Sequence, residues 1–92
     1  MFPRNEQELI EVLRGLAEER PGTPLDAAEH ANCCVSLSLF LAKSGSYSGE
    51  VPHLVWHFLS DADIRATSPE YAQVQREQLL LLITEWARAA GA

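Results

Sequence analysis

Two histidines and an aspartate, His53, His57 and Asp61, have the spacing best suited to chemistry. Residues four apart lie on the same side of a helix, so the series would stack two imidazoles and a carboxylate along one line. Zinc binds these ligand types at about 2 Å, and an ion held by three protein ligands keeps a position for water, whose pKa it lowers. The series therefore predicts a zinc site in a metal-binding, hydrolytic protein, with Glu50 and Asp63 close in sequence.

The same three side chains have a simpler interpretation as the solvated side of an amphipathic helix. On a helical wheel they lie opposite an apolar arc. The arc consists of Leu54, Val55, Phe58, Leu59 and Ala62. A His-x-x-x-His pair arises easily by chance, and the glutamate of the zinc-protease motif His-Glu-x-x-His is absent. We favour the solvated face and keep zinc binding as the alternative.

Two adjacent cysteines, Cys33 and Cys34, form a second reactive set with His30, four residues before Cys34. A disulfide between neighbours would be strained, and the sequence supplies no further metal ligands close by. We therefore predict two buried, reduced thiols that pack as small hydrophobic groups. The serines fit no nucleophile-elbow motif, so the sequence predicts no catalytic residue.

Chain length, net charge and apolar runs limit the number of domains, the partners and the location that we expect. The chain of 92 residues predicts a single domain, residues 1–92. Its net charge of −6 and its scattered basic residues argue against nucleic acid or an anionic membrane as a partner. The longest uninterrupted apolar run, residues 79–83, is too short to span a membrane, and the first residues lack the pattern of a secretory signal. We expect a cytoplasmic protein.

Hydrophobic periodicity predicts an all-α domain of four helices, at about residues 6–20, 24–44, 52–62 and 69–90. Asn5 and Ser68 are suitable N-caps for the first and last helices. The Asn5 side chain can accept from the Glu8 amide. Residues 35–41 alternate as a half-buried strand does, but a lone strand would leave its backbone groups unpaired, so helix is favoured. On the wheel Ile64 falls on the polar side of the third helix, which indicates a break near residues 61–66.

Apolar residues exceed what one packing face needs in two of these helices. The helix at about 24–44 is apolar almost all round, which predicts a central, buried element. In the last helix the apolar residues cover an arc of roughly 200°, which implies burial on two sides. We predict that this surplus forms an interface, with Trp56 as a further contact residue. The predicted interface residues of the last helix are Leu79, Leu80, Ile83 and Trp86.

These patterns favour a non-enzymatic protein interaction domain, such as a small acidic adaptor, an inhibitor or an antitoxin-like protein. The partner would be a second copy in a homodimer or another protein, and no cofactor is required. The alternative is the zinc protein that uses His53, His57 and Asp61.

Overall fold

A computed structural model describes residues 2–19, 24–43, 47 and 49–91 of the chain. This part contains five α-helices: α1 (Glu6–Glu18), α2 (Pro24–Ala42), α3 (His53–Ser60), α4 (Ala62–Thr67) and α5 (Pro69–Gly91). No strand occurs within the described residues, and residues 35–41 are helical. The prediction of an all-α fold is therefore confirmed.

The main difference from the predicted elements lies between the third and last helices. The third helix ends at Ser60, Asp61 forms a turn, and a separate short helix, α4, follows. The predicted break is therefore present, but the chain resumes a helix directly after it. The predicted end of the first helix at Arg20 and the last residue of the second, Ser44, lie outside the described residues.

Both predicted N-caps are confirmed. The Asn5 side chain accepts a hydrogen bond from the Glu8 backbone amide at 2.9 Å. The carboxylate of Glu8 accepts from the backbone amide of Arg4, at 2.8 Å. At the start of α5 the Ser68 hydroxyl accepts from the Tyr71 amide at 3.3 Å. These bonds satisfy amides that have no partner within their own helix.

The core lies between α1, α3 and α5. The second helix, α2, covers the core on the side formed by α3 and α4. α1 packs mainly on α5, and α2 packs on α3 and α4. The largest side chains that are completely buried come from α1, α3 and α5. They are Leu9, Leu13, Val55, Phe58, Leu59, Leu79 and Ile83. Within the described residues no helix is long and apolar enough to cross a membrane.

The second helix is buried on one side only, which corrects the prediction of an element enclosed all round. Cys34, Leu37 and Leu41 face the core. On the opposite side Val35 and Leu39 are 54% and 68% exposed. Within the described part of the chain, α2 packs mainly against α3 and α4.

Candidate functional site

The structure brings together two of the three predicted zinc ligands. The Nε2 atoms of His53 and His57 lie 2.9 Å apart, and both side chains are exposed. The rings are nearly perpendicular, at 84°, with centroids 4.5 Å apart. One Nε2 must carry the proton that the other accepts. The pair lies on the first two turns of α3.

Asp61 is used elsewhere because α3 ends before it. Its Oδ2 accepts from the Tyr71 hydroxyl at 2.5 Å and from Gln75 Nε2 at 2.9 Å, both on α5. The hydrogen bond from Tyr71, more than any other interaction, lowers the pKa of Asp61 below its usual value. Among the described residues no three His, Cys, Asp or Glu side chains are placed to hold a metal ion. The three-ligand geometry on which the zinc alternative relied is therefore not present here.

The side chain of Arg65, on α4, is the centre of a buried cluster of polar groups. The guanidinium is 7% exposed and lies 3.7 Å above the Phe58 ring. Its Nη1 donates to the Phe58 carbonyl oxygen and to Gln75 Oε1, and its Nη2 donates to His30 Nε2 at 3.0 Å. One side chain thus connects α2, α3 and α5 to α4, and desolvation lowers its pKa.

The hydrogen bonds of Arg65 fix the tautomer of His30. A guanidinium only donates, so His30 Nε2 accepts and its Nδ1 carries the proton. That Nδ1 donates to Glu19 Oε1 at 2.6 Å. The series Glu19, His30, Arg65, Gln75 and Asp61 therefore crosses the domain from the end of α1 to α5.

His30 lies close to Cys34, so the cluster contains the residue types of a Cys-His-acid catalytic triad. Its geometry and charge do not activate the thiol as a nucleophile. Cys34 Sγ lies 3.7 Å from His30 Nε2, and the thiol is completely buried. Burial raises the pKa of Cys34 to about 11 despite the nearby charge of Arg65. The His30 lone pair that would take the thiol proton is already occupied by Arg65. The thiol therefore stays protonated near neutral pH, and the cluster is structural.

The two cysteines differ in exposure. Cys34 is buried as predicted, whereas Cys33 is exposed, which corrects the prediction that both are buried. Cys33 lies one residue, or about 100°, away from the core-facing side of α2.

The structure places the predicted interface residues in two environments. Leu79 and Ile83 are 0% and 1% exposed, so they belong to the core and add nothing to the surface. Trp56, Leu80 and Trp86 are half-buried and pack against the core. The exposed apolar side chains of α5 are instead Tyr71, Val74 and Leu81.

An open groove of about 450 Å³ lies between α1 and α2. Its apolar lining includes Val12, Leu16 and Leu37, and Phe2 also lines it while stacked on Phe40 at 4.6 Å. Its polar lining residues are Glu11, Glu19, Asn32 and Ser36. Gly15 and Cys33 complete it.

Comparison of the chain with protein-family models, curated proteins and solved structures finds no match.

Sequence reasoning missed the cluster around Arg65 and the groove. The available signal for the first was Ile64, the apolar residue on the polar side of the third helix. In the structure Ile64 is 45% exposed and its neighbour Arg65 is buried. No sequence signal indicated the groove, because its lining residues come from two helices and each fits an ordinary packing pattern.

Proposed function

We propose that the protein is a non-enzymatic interaction domain that binds a basic, amphipathic segment of another protein in the groove between α1 and α2. The observation that supports this most is the groove itself, which has an apolar lining and stays open to solvent. Apolar clefts that accept a helix or a peptide are a common means of protein recognition. Val35 and Leu39 are further exposed apolar side chains on α2, outside the groove.

Charge supports a basic segment over a second copy of the chain. None of the thirteen acidic residues is buried, whereas Arg65, one of the seven basic residues, is. Among the described residues that line the groove, Glu11 and Glu19 are acidic and none is a lysine or arginine. Glu11 pairs with Arg14 at 3.0 Å, and Glu19 accepts from His30. A segment with lysine or arginine beside its apolar residues would complement this field, and two acidic copies would repel each other.

Gly15 offers a way to close the groove without disturbing the fold. A Cβ atom added there meets no heavy atom within 4 Å. Gly15→Trp would place an indole in the groove, and Gly15→Ala is the matched control that leaves it open. Gly15→Ala should stabilise α1 by about 0.5–1 kcal/mol, because glycine is a poor residue in a helix interior.

The test measures binding of a labelled 18-residue Leu/Lys amphipathic helix by fluorescence anisotropy, with a Leu/Glu peptide of the same pattern for comparison. We expect the wild type and Gly15→Ala to bind the basic peptide alike and Gly15→Trp to bind it at least tenfold more weakly. The wild type, Gly15→Ala and Gly15→Trp are also each used to capture proteins from a cell extract, and the captured proteins are compared. Equal affinity of Gly15→Trp and Gly15→Ala for the peptide and for any captured protein would refute the proposal. Light scattering that shows a dimer sensitive to Gly15→Trp would refute it in favour of a second copy.

A further inference from the structure

We infer that His53 and His57 form a two-histidine chelate for a divalent late transition metal, Cu(II) or Ni(II), with its remaining coordination positions open. The two Nε2 atoms point towards each other at 2.9 Å on the exposed side of α3. A hydrogen bond between them requires the lone pair of one imidazole to converge on the other. When the donor ring carries its proton on Nδ1 instead, its Nε2 also has a lone pair, and both lone pairs are then close to the position of a shared ion.

The separation of the nitrogen atoms favours one coordination geometry. Two nitrogens 2.9 Å apart, each about 2.05 Å from an ion, subtend an angle of about 90° at that ion. That is the angle between neighbouring ligands in a square-planar or tetragonal site, the geometry of Cu(II) and Ni(II) with nitrogen ligands. A tetrahedral zinc site would need the two nitrogens at about 3.3 Å, a shift that exposed side chains can make, so the preference for Cu(II) rests also on its higher affinity for nitrogen ligands.

The exposed position of the pair allows the chelate to form. Because both side chains are in solvent, each ring can turn the small amount that aims its lone pair at the ion. Binding requires both Nε2 atoms to be unprotonated. The proton between them moves to Nδ1 of its own ring, and an imidazolium would release a further proton to water, so protons compete with the metal. Water, or a ligand carried by a partner molecule, completes the coordination. The inference does not depend on the groove between α1 and α2, which is formed by other helices.

The decisive control keeps two histidines on α3 but separates them along the helix. In the double variant His57→Gln with Ser60→His the two imidazoles are seven residues apart, about 10.5 Å along the helix, and cannot share an ion. The single variant His57→Gln gives the affinity of one imidazole. All proteins are untagged and carry Cys33→Ser, because an exposed thiol would bind or reduce Cu(II).

The measurement is isothermal titration with Ni(II) and Cu(II), together with electron paramagnetic resonance of the Cu(II) complex. We expect the His53 and His57 pair to bind at least about tenfold more tightly than either variant, since the second imidazole is held at high effective concentration. The Cu(II) spectrum should show two imidazole nitrogen ligands in the protein that keeps His53 and His57, and one in each variant. Affinities within twofold of one another, or one nitrogen ligand in all three proteins, would overturn the inference.

Discussion

Replacement of Arg65 by methionine should destabilise the domain more than any other change of a charged residue in the described part of the chain. Methionine fills much of the same volume but donates nothing, so three buried acceptors lose the guanidinium. They are the Phe58 carbonyl oxygen, Gln75 Oε1 and His30 Nε2. Only His30 Nε2 keeps a neighbouring donor, the weakly donating Cys34 thiol at 3.7 Å. Each unsatisfied buried group costs about 1–3 kcal/mol. The sum is limited to about 3–5 kcal/mol, the usual cost of removing one partner from a buried charged cluster.

That loss would be large for a domain of this size. Native proteins have unfolding free energies of about 5–15 kcal/mol, so roughly a fifth or more of the stability would disappear. Since each kcal/mol shifts the Tm by roughly 4–8 °C in domains of 60–100 residues, we expect a fall of at least about 12 °C. Urea unfolding followed by circular dichroism measures the free energy, and thermal unfolding measures the Tm.

The matched control is Arg88→Met on the exposed side of α5. It removes the same charge from the surface and should change the free energy by no more than about 0.5 kcal/mol. A double-mutant cycle with Gln75→Met should show a coupling of about 0.5–3 kcal/mol, because that change removes one of the stranded acceptors. If Arg65→Met costs less than about 1 kcal/mol, the guanidinium does not hold the helices together as argued.

Two further predictions concern single ionisable groups. At pH 8 a thiol reagent should modify the exposed Cys33 in the native protein but reach the buried Cys34 only in denaturant. The pKa of Cys34, about 11, leaves only about one Cys34 thiol in a thousand ionised at that pH. Equal rates of modification for the two thiols in the native protein would contradict this. The pKa of Asp61 is lowered on folding, so its contribution to stability is present above its unfolded pKa and is lost as pH falls through the folded pKa. Asp61→Asn should therefore show a shallower loss of stability than the wild type in urea unfolding between pH 5 and pH 2; parallel profiles would contradict it.

The helices themselves were predictable because their signals are local. The four predicted helices each begin at a residue that can cap them or fix the first turn, and each carries apolar residues at helical spacing. Asn5 and Ser68 show this most directly, since their side chains accept from the amides three residues ahead. These local interactions act within one turn, so the sequence alone contains the information. The exception is α4, which has six residues and no side-chain cap and was not predicted as a separate helix.

The site was less predictable because it depends on where one turn changes the direction of the chain. The helical wheel of residues 52–62 assumes an unbroken axis and places Asp61 beside His57. The turn at Asp61 ends that axis, and its carboxylate accepts from Tyr71 and Gln75 on α5 instead of lying beside His57. Arg65 is buried and Ile64 is 45% exposed. A buried arginine is rarely inferred from sequence, because its partners come from distant positions such as His30, 35 residues away.

The second helix shows why apolar composition alone overestimates burial in a small domain. Its 19 residues extend about 28 Å, and packing against α3 and α4 covers the side that carries Cys34, Leu37 and Leu41. Nothing else in the described part of the chain covers Val35 and Leu39, which are more than half exposed. Because they are 54% and 68% exposed, covering the remaining surface would supply roughly 1–2 kcal/mol each. A partner that covers them, together with the groove between α1 and α2, would recover that free energy, which is the physical reason to look for the function of this protein on the α1 and α2 side.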